Sequence, residues 1–383
     1  MTDPGKEVTE REWRPNQTTH QGAPPRDPWT LILGILGGVL LGTGVTFAIL
    51  GSIGVFEEPT PPTLPPPPVL TIPPPAGPAP TLGDTVTVAA VAQRVIPSTV
   101  FIEISGFLLG ASGSGVIYGT DGYIITNHHV VEGAGSVAVV FADGARYPAR
   151  VVGTDPLTDL AVLSVDREDL SPIDLGTSAN LVIGEPAIAV GSPLGLDGGP
   201  TVTSGIVSAI NRTLEVTRGE PLYGLVQTDA PIAPGSSGGA LVDAGARLIG
   251  ITTAIAVSDV GAEGLGFAVP VDIVVGVVND LIRSGEVAHA RLGIEGSTAW
   301  ADRGDAEYPA GVGVSGIPDD SAFEAAGGQI NDVIVEIAGV RVSTLDDLLA
   351  VLRLFRAGQT TPVRILRADA DTTLDVVLGR LSP

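Results

Sequence analysis

Between Thr85 and Arg283 the chain breaks into short β-branched runs, punctuated at close intervals by glycine, aspartate and proline. The runs fall at 99–104, 115–118, 123–126, 137–141, 161–165, 186–190, 248–252 and 266–269. Strands so short and closely spaced leave no room for a crossover helix after each. The pattern therefore predicts an all-β barrel or sandwich and excludes repeated βαβ units. A stretch of helical periodicity at 271–283 closes this unit, and 84–96 reads as a further short helix.

After a hinge at 284–290 a second unit begins near Arg291. Here strands at 312–315, 333–337, 363–367 and 372–377 alternate with helices at 320–326 and 344–355. In the second helix Leu345, Leu348, Leu349, Leu352 and Leu354 keep near-helical spacing, with Asp346, Asp347 and Arg353 between them. That order predicts a small α+β domain.

The N-terminal part has a different character. No charged residue occurs from Pro28 to Phe56, an apolar length sufficient for one membrane-spanning helix and too long for a signal-peptide core. Lys6, Arg11, Arg14 and Arg26 precede it, whereas Glu57 and Glu58 follow, so the positive-inside rule puts residues 1–28 in the cytoplasm and the remainder outside. Residues 59–80 hold twelve prolines in 22 positions, a composition that favours an extended polyproline arm of up to roughly 70 Å. The expected organisation is thus a cytoplasmic tail at 1–28, a membrane helix at 29–56, a linker at 57–83, a β-rich domain at 84–286 and an α+β domain at 287–383.

Composition removes much known chemistry. Twenty basic against 43 acidic residues give a net charge of −23 at pH 7, which disfavours nucleic acid as a partner. Cysteine is absent, so thiol nucleophiles, disulfides and cysteine-bound metals are excluded. The single lysine, Lys6, leaves no Walker loop or Ser–Lys dyad in a folded part. No metal or cofactor is expected.

What remains is a hydroxyl, a base and a carboxylate. Pro234-Gly235-Ser236-Ser237-Gly238-Gly239 offers a glycine-flanked serine, 126–130 offers His128 and His129, and 155–161 offers Asp155 and Asp159. A serine hydroxyl needs a base to take its proton and a third group to orient that base. Flanking glycines allow backbone N–H groups to converge on the oxyanion of a tetrahedral intermediate. His20 lies before the apolar segment and His289 in the hinge, so the base is His128 or His129. Asp155 reads as a solvated turn residue. Ser112-Gly113-Ser114-Gly115, a second glycine–serine string, warns that such strings are common.

The motifs TNHHVV, DPLTDLAVL, GPTVTSGIVSA, QTDAPIAPGSSGGAL and GLGFAVP, in this order, resemble the protease domain of the HtrA (Deg) family. The resemblance implies a mainly β fold, a chymotrypsin-like double β-barrel followed by a small α+β PDZ domain. It implies His129 as base, Asp159 as orienting carboxylate, Ser237 as nucleophile, and an oxyanion hole from the backbones of Gly235 and Ser237. His128 stands where asparagine is common. Ala233 and Ser236 depart from the family's INPGNSGGPL, and the short segment 106–112 favours membrane-tethered stress proteases.

Pro231, Ile232 and Ala233 on one wall and Thr252, Thr253 and Ala254 on the other are expected to line an uncharged primary pocket, hence cleavage after small or medium apolar residues. In the C-terminal unit Arg291-Leu292-Gly293-Ile294 resembles the peptide-carboxylate loop of PDZ domains, and 325–334 resembles their AGLKPGDVI turn, with Asn331 in place of glycine. The family further implies polypeptide substrates, C-terminal or extended peptides at the PDZ domain, and a homotrimer. The expected function is a membrane-anchored, ATP-independent serine endopeptidase acting outside the cytoplasm on misfolded or signalling proteins. A tethered PDZ scaffold or holdase is the alternative. The segments 214–225 and 231–236 are the expected switch elements.

Overall fold

The computed structural model describes residues 87–105, 111–192, 199–216, 219–253, 265–303, 306–368 and 370–381. The expected tail, membrane helix and linker lie outside the described residues. Among those described, no helix is long and apolar enough to cross a membrane.

A short helix α1 (Val88–Val95), capped by Thr87 whose Oγ1 accepts from the Ala90 N–H at 3.2 Å, leads into the first barrel. Its strands are β1 (Thr99–Ser105), β2 (Ala111–Ile117), β3 (Tyr123–Thr126), β4 (Ser136–Val140), β5 (Arg146–Asp155) and β6 (Leu160–Val165). They close in the antiparallel order β1-β2-β3-β6-β5-β4. Alternation in β1 turns Val100, Ile102 and Ile104 inward, where they meet Ile117, Ile124, Val139 and Leu163. A four-residue helix α2 (His128–Val131) follows β3 directly.

The second barrel holds β7 (Pro186–Gly191), β8 (Thr201–Leu214), β9 (Leu222–Thr228), β10 (Ala240–Val242), β11 (Leu248–Thr253) and β12 (Gly266–Pro270), closed as β10-β11-β12-β9-β8-β7. Helix α3 (Val271–Ser284) then packs back on both barrels through Val274, Val277, Val278 and Leu281, all fully buried. Truncating Leu281 to alanine would cost about 2–5 kcal/mol, from lost transfer free energy plus the cavity left behind. Gly285, at φ 77°, ends the helix in the left-handed conformation that a glycine adopts freely.

The C-terminal domain contains β13 (Ala290–Arg291), β14 (Glu295–Arg303), β15 (Ala306–Gly316), α4 (Ala322–Ala325), β16 (Val333–Ile337), β17 (Val340–Arg341), α5 (Leu345–Leu352), β18 (Thr360–Arg367), β19 (Ala370–Val377) and β20 (Gly379–Arg380). A sheet in the order β14-β15-β16-β18-β19 carries the core, with β17 on β16 and β13 paired to β20. Thr344 and Asp347 form a reciprocal capping box that starts α5. Both barrels and this domain belong to one compact unit beginning at Pro80.

The strand pattern errs by omission. β5, β8, β9 and β14 were not anticipated, because Pro148 and Gly153, Gly205, Gly224 and Gly296 interrupt their apolar alternation, and β10 was missed as a three-residue strand. At Gly153 and around Asn211 the register shifts, so bulges in real strands mimic turns in the sequence. The helix expected at 320–326 shrinks to one turn, and 344–355 shortens to α5. The segment expected to be a hinge is packed: Ala288 and His289 both give their carbonyls to N–H groups of the C-terminal domain, at Ala357 and Leu381, each at 2.9 Å.

Candidate active site

The β5–β6 turn, Pro156-Leu157-Thr158-Asp159, brings the chain back on itself within four residues. Asp159 stands there at φ 56°, a left-handed conformation that aspartate tolerates better than most residues. Its backbone carbonyl is held from the neighbouring β3–α2 corner, by Asn127 Nδ2 at 2.8 Å and the His128 N–H at 3.1 Å. The side chain is thereby aimed at the imidazole of the next residue along. His129 Nδ1 lies 2.9 and 2.8 Å from the two Asp159 carboxylate oxygens, and the His129 N–H donates to Oδ1 at 3.0 Å. From the second barrel Thr253 donates its hydroxyl to Oδ2 at 2.8 Å.

Asp159 is buried, whereas 35% of the His129 side chain is exposed. An imidazole whose Nδ1 faces a carboxylate presents Nε2 as its other edge, the arrangement a general base requires. The geometry separates the two histidines, because His128 reaches Asp159 only through its backbone.

Ser237 comes from the β9–β10 connection, and its residue is 5% exposed. Its loop is held at the peptides on either side of Ser236. The Ser236 N–H donates to the Ala233 carbonyl at 2.9 Å, and the Gly239 N–H returns to the Ser236 carbonyl at 3.0 Å. Gly235 and Gly238 take φ of 91° and 83°. A Cβ on Gly238 would come within 2.2 Å of the Ser114 carbonyl, so no other residue fits there. A Cβ on Gly113 would meet Val130 Cγ1 at 2.6 Å and the Ser237 carbonyl oxygen at 3.3 Å, which places the turn carrying His129 beside the Ser237 backbone. Among the described residues no group accepts the Gly235 N–H.

The expected pocket walls separate into two kinds. Pro231 and Ala233 are exposed and Ile232 is half-buried over Gly266, as a pocket rim allows. Thr252 and Thr253, 1% and 2% exposed, spend their hydroxyls elsewhere: Thr253 on Asp159, Thr252 on the Ser236 carbonyl at 2.6 Å. Thr252 thus braces the Ser237 loop and Thr253 the Asp159 carboxylate. The strand alternation of β11 does not reveal this, because every position of that strand is buried. Ala254 lies outside the described residues.

Asp155 overturns its reading as a solvated turn residue. It ends β5, is 4% exposed, and bonds His289 Nε2 through both oxygens at 2.9 Å and Thr158 Oγ1 at 2.5 Å. Burial works against its charge, but the hydrogen bond and charge of His289, with Thr158 and Arg353 behind them, hold the carboxyl below its usual range. His289, set aside as a hinge residue, is 4% exposed.

In the C-terminal domain Gly293 takes φ 75°, and its carbonyl accepts from Ser321 Oγ at 2.6 Å while the Leu292 carbonyl accepts from the Phe323 N–H at 2.9 Å. Arg291 pairs with Asp320 at 2.8 Å, and Leu292 and Ile294 pack into the core. With the carbonyls engaged on the α4 side, no described residue accepts the N–H groups of Gly293 and Ile294. Asn331 adopts φ 74°, as its place in a glycine turn requires. Helix α5 meets β8 and β9 of the second barrel, with Asn211 Nδ2 of β8 donating to Asp347 at 2.6 Å, and an apolar cavity of about 410 Å³ is lined by residues of α5 and of this barrel.

Two closed six-stranded barrels, one supplying an Asp–His pair and the other a serine in a glycine-bounded loop, define a chymotrypsin-like serine protease architecture. Residues 113–251 match the trypsin-like peptidase domain and residues 290–378 the PDZ domain. The chain is 37% identical over 286 residues to Protease Do-like 1, chloroplastic, of Arabidopsis thaliana, covering 70% of this chain and 63% of that protein. With Serine protease PepD of Mycobacterium tuberculosis it shares 35% identity over 317 residues, 77% of this chain and 66% of that one. The solved HtrA-type protease AlgW with tripeptide is similar at a TM-score of 0.63 and 34% identity, covering 78% of this chain and 98% of that chain. The protein belongs to the HtrA family of serine proteases, with a trypsin-like peptidase domain followed by a PDZ domain. It spans less than two thirds of the length of these two curated relatives.

Proposed function

We propose that the protein is an ATP-independent serine endopeptidase in which Ser237 attacks the scissile carbonyl. His129 takes the serine proton and returns it to the leaving amine, Asp159 fixes the imidazole, and the N–H groups of Gly235 and Ser237 receive the oxyanion. The observation that carries this reading is the Asp159 carboxylate closed on His129 Nδ1 from one barrel and on Thr253 from the other. Three donors on one carboxylate leave its orientation, and hence that of the imidazole, a single solution. Substrates are exposed segments of unfolded or signalling polypeptides cleaved after small or medium apolar residues, since Pro231, Ile232 and Ala233 carry no charge to meet lysine or arginine.

In the same proposal residues 29–56 anchor the protein in a membrane with the protease and PDZ domains outside the cytoplasm, and the assembly is a homotrimer. The PDZ domain takes C-terminal peptides at Arg291–Ile294, where the free N–H groups suit a carboxylate, and the α5–β9 contact transmits occupancy to the segment preceding Ser237. The test is a serine-directed phosphonate applied to the full-length protein. The expected adduct maps to Ser237 and is lost with hydrolysis of an unfolded protein in Ser237→Ala. Hydrolysis by that variant at the wild-type rate would remove the assignment.

A further inference from the structure

The string Ser112-Gly113-Ser114-Gly115 is not the flexible turn its composition advertises. Ser114 lies in β2, wholly buried. Its N–H donates to the Ser237 carbonyl at 2.7 Å, and its carbonyl accepts from Thr126 Oγ1 at 2.8 Å. Its hydroxyl has two neighbours, the Gly235 carbonyl and the Ser192 N–H, each at 2.7 Å. A backbone N–H only donates, so the hydroxyl oxygen accepts from Ser192 and its one proton goes to Gly235. The direction of the bond is therefore fixed by chemistry.

The consequence falls on the oxyanion loop. The peptide plane between Gly235 and Ser236 is held at both polar atoms, its C=O by Ser114 and its N–H by the Ala233 carbonyl. The next plane has its C=O held by Thr252 Oγ1, and a trans peptide then turns the Ser237 N–H the opposite way. Gly235 itself stands at φ 91°, a conformation that glycine adopts without the penalty a Cβ would bring. Gly191 leaves room for this arrangement: a Cβ there would come within 3.1 Å of Ser114 Oγ and 3.2 Å of Ser236 Cα.

We propose that Ser114 is a positioning residue for oxyanion stabilisation, a hydroxyl of the first barrel that clamps the nucleophile loop of the second so that the Gly235 and Ser237 N–H groups converge. Ser114 touches neither substrate nor reacting atoms. The proposal rests on the endopeptidase reading above and deepens it.

The experiment compares full-length wild type, Ser114→Ala and Ser114→Cys on a fluorogenic peptide and on a peptide boronic acid, whose tetrahedral adduct stands in for the intermediate. Removing an oxyanion donor outright costs about 100- to 1,000-fold. Loosening the loop that aims it is expected to lower kcat about 10- to 100-fold in Ser114→Ala, with KM within about twofold and boronate affinity weakened in parallel. Ser114→Cys, a weaker donor, falls between the two. Wild-type kcat in Ser114→Ala, or a kcat loss with unchanged boronate affinity, overturns the proposal. Where Ser114→Ala does not fold, a folded Ser114→Cys with wild-type kcat and boronate affinity does the same. Failure of the wild type to react with the phosphonate would instead sink the endopeptidase reading itself, and this inference with it.

Discussion

The β5–β6 corner carries two aspartates four residues apart, each paired with a histidine, and the two pairs differ in almost everything but their chemistry. Asp159 meets His129 within the first barrel, and that imidazole is 35% exposed. Asp155 meets His289, which lies just beyond α3 in the chain, and that imidazole is 4% exposed. One pair opens toward a serine loop; the other is sealed and ties the linker of the PDZ domain to the protease domain. A carboxylate–imidazole contact is thus not a catalytic signature by itself. What distinguishes the Asp159–His129 pair is a partly exposed imidazole on a turn beside the Ser237 backbone, together with Thr253 and the His129 backbone fixing the carboxylate.

The largest effect should come from Asp159. Asp159→Asn keeps the shape of the side chain but reverses the hydrogen-bond logic at His129 Nδ1, and in triads of this kind such a change costs roughly 10⁴-fold in turnover. Measured kcat should fall by that order while the urea midpoint stays close to wild type. A loss below tenfold would mean that the Asp159–His129 contact is structural, like its neighbour.

Asp155→Ala should invert that outcome. Removing the carboxylate from this buried pair leaves the His289 imidazole without its partner, at a cost of about 1–3 kcal/mol. Urea unfolding should report the loss, and kcat measured well below the transition should remain within about threefold of wild type. A large fall in kcat without destabilisation would show that the sealed pair, too, acts on catalysis.

These two aspartates also mark how far the sequence speaks. The triad candidates Asp159, His129 and Ser237 could be named because elimination had left few histidines and the motifs follow the order of a family pattern, although each string alone is weak. Asp155 was misread and His289 set aside because burial is a tertiary property: Asp155 ends a strand whose Pro148 and Gly153 disguise it as loop. Thr252 and Thr253 were assigned to a pocket since an all-buried strand gives no alternation to say which way a hydroxyl points. The signal that could have placed Thr253 is chemical, a hydroxyl arriving from the opposite barrel where an orienting carboxylate needs another donor. Among the folded elements, β3 and β16 matched their expected bounds, while the long bulged strands β5 and β8 were hidden by their own irregularity.

Thr253→Val sharpens the comparison from the other side, since it strips a donor from Asp159 and leaves Asp155 untouched. A hydrogen bond to a charged group contributes about 1.5–3 kcal/mol, so a loss of roughly 10- to 100-fold in kcat is expected, with KM little changed. An effect on KM alone would return Thr253 to the pocket.

The smallest effect concerns acid. Burial opposes the Asp155 charge, yet His289, Thr158 and Arg353 outweigh it, so the folded carboxyl titrates below its unfolded value of about 3.9. A depressed carboxylate binds its proton more readily in the unfolded chain, and stability therefore rises with pH through this range. The contribution is complete above about pH 4 and disappears as pH falls through the folded value. Two other carboxylates share the same acid limb. The Arg167 hydrogen bond brings exposed Asp143 down to about 2, and Asp332 is lowered because its Arg367 contacts outweigh its burial. The informative quantity is consequently the difference between wild type and Asp155→Asn in urea midpoint from pH 7 to pH 3. That difference should narrow as pH falls below about 4, because only the wild type has the Asp155 charge to lose. A gap that stays constant down to pH 3 would mean that the His289 contact does not depend on the charge of Asp155, and the sealed pair would then be a packing contact without an electrostatic part.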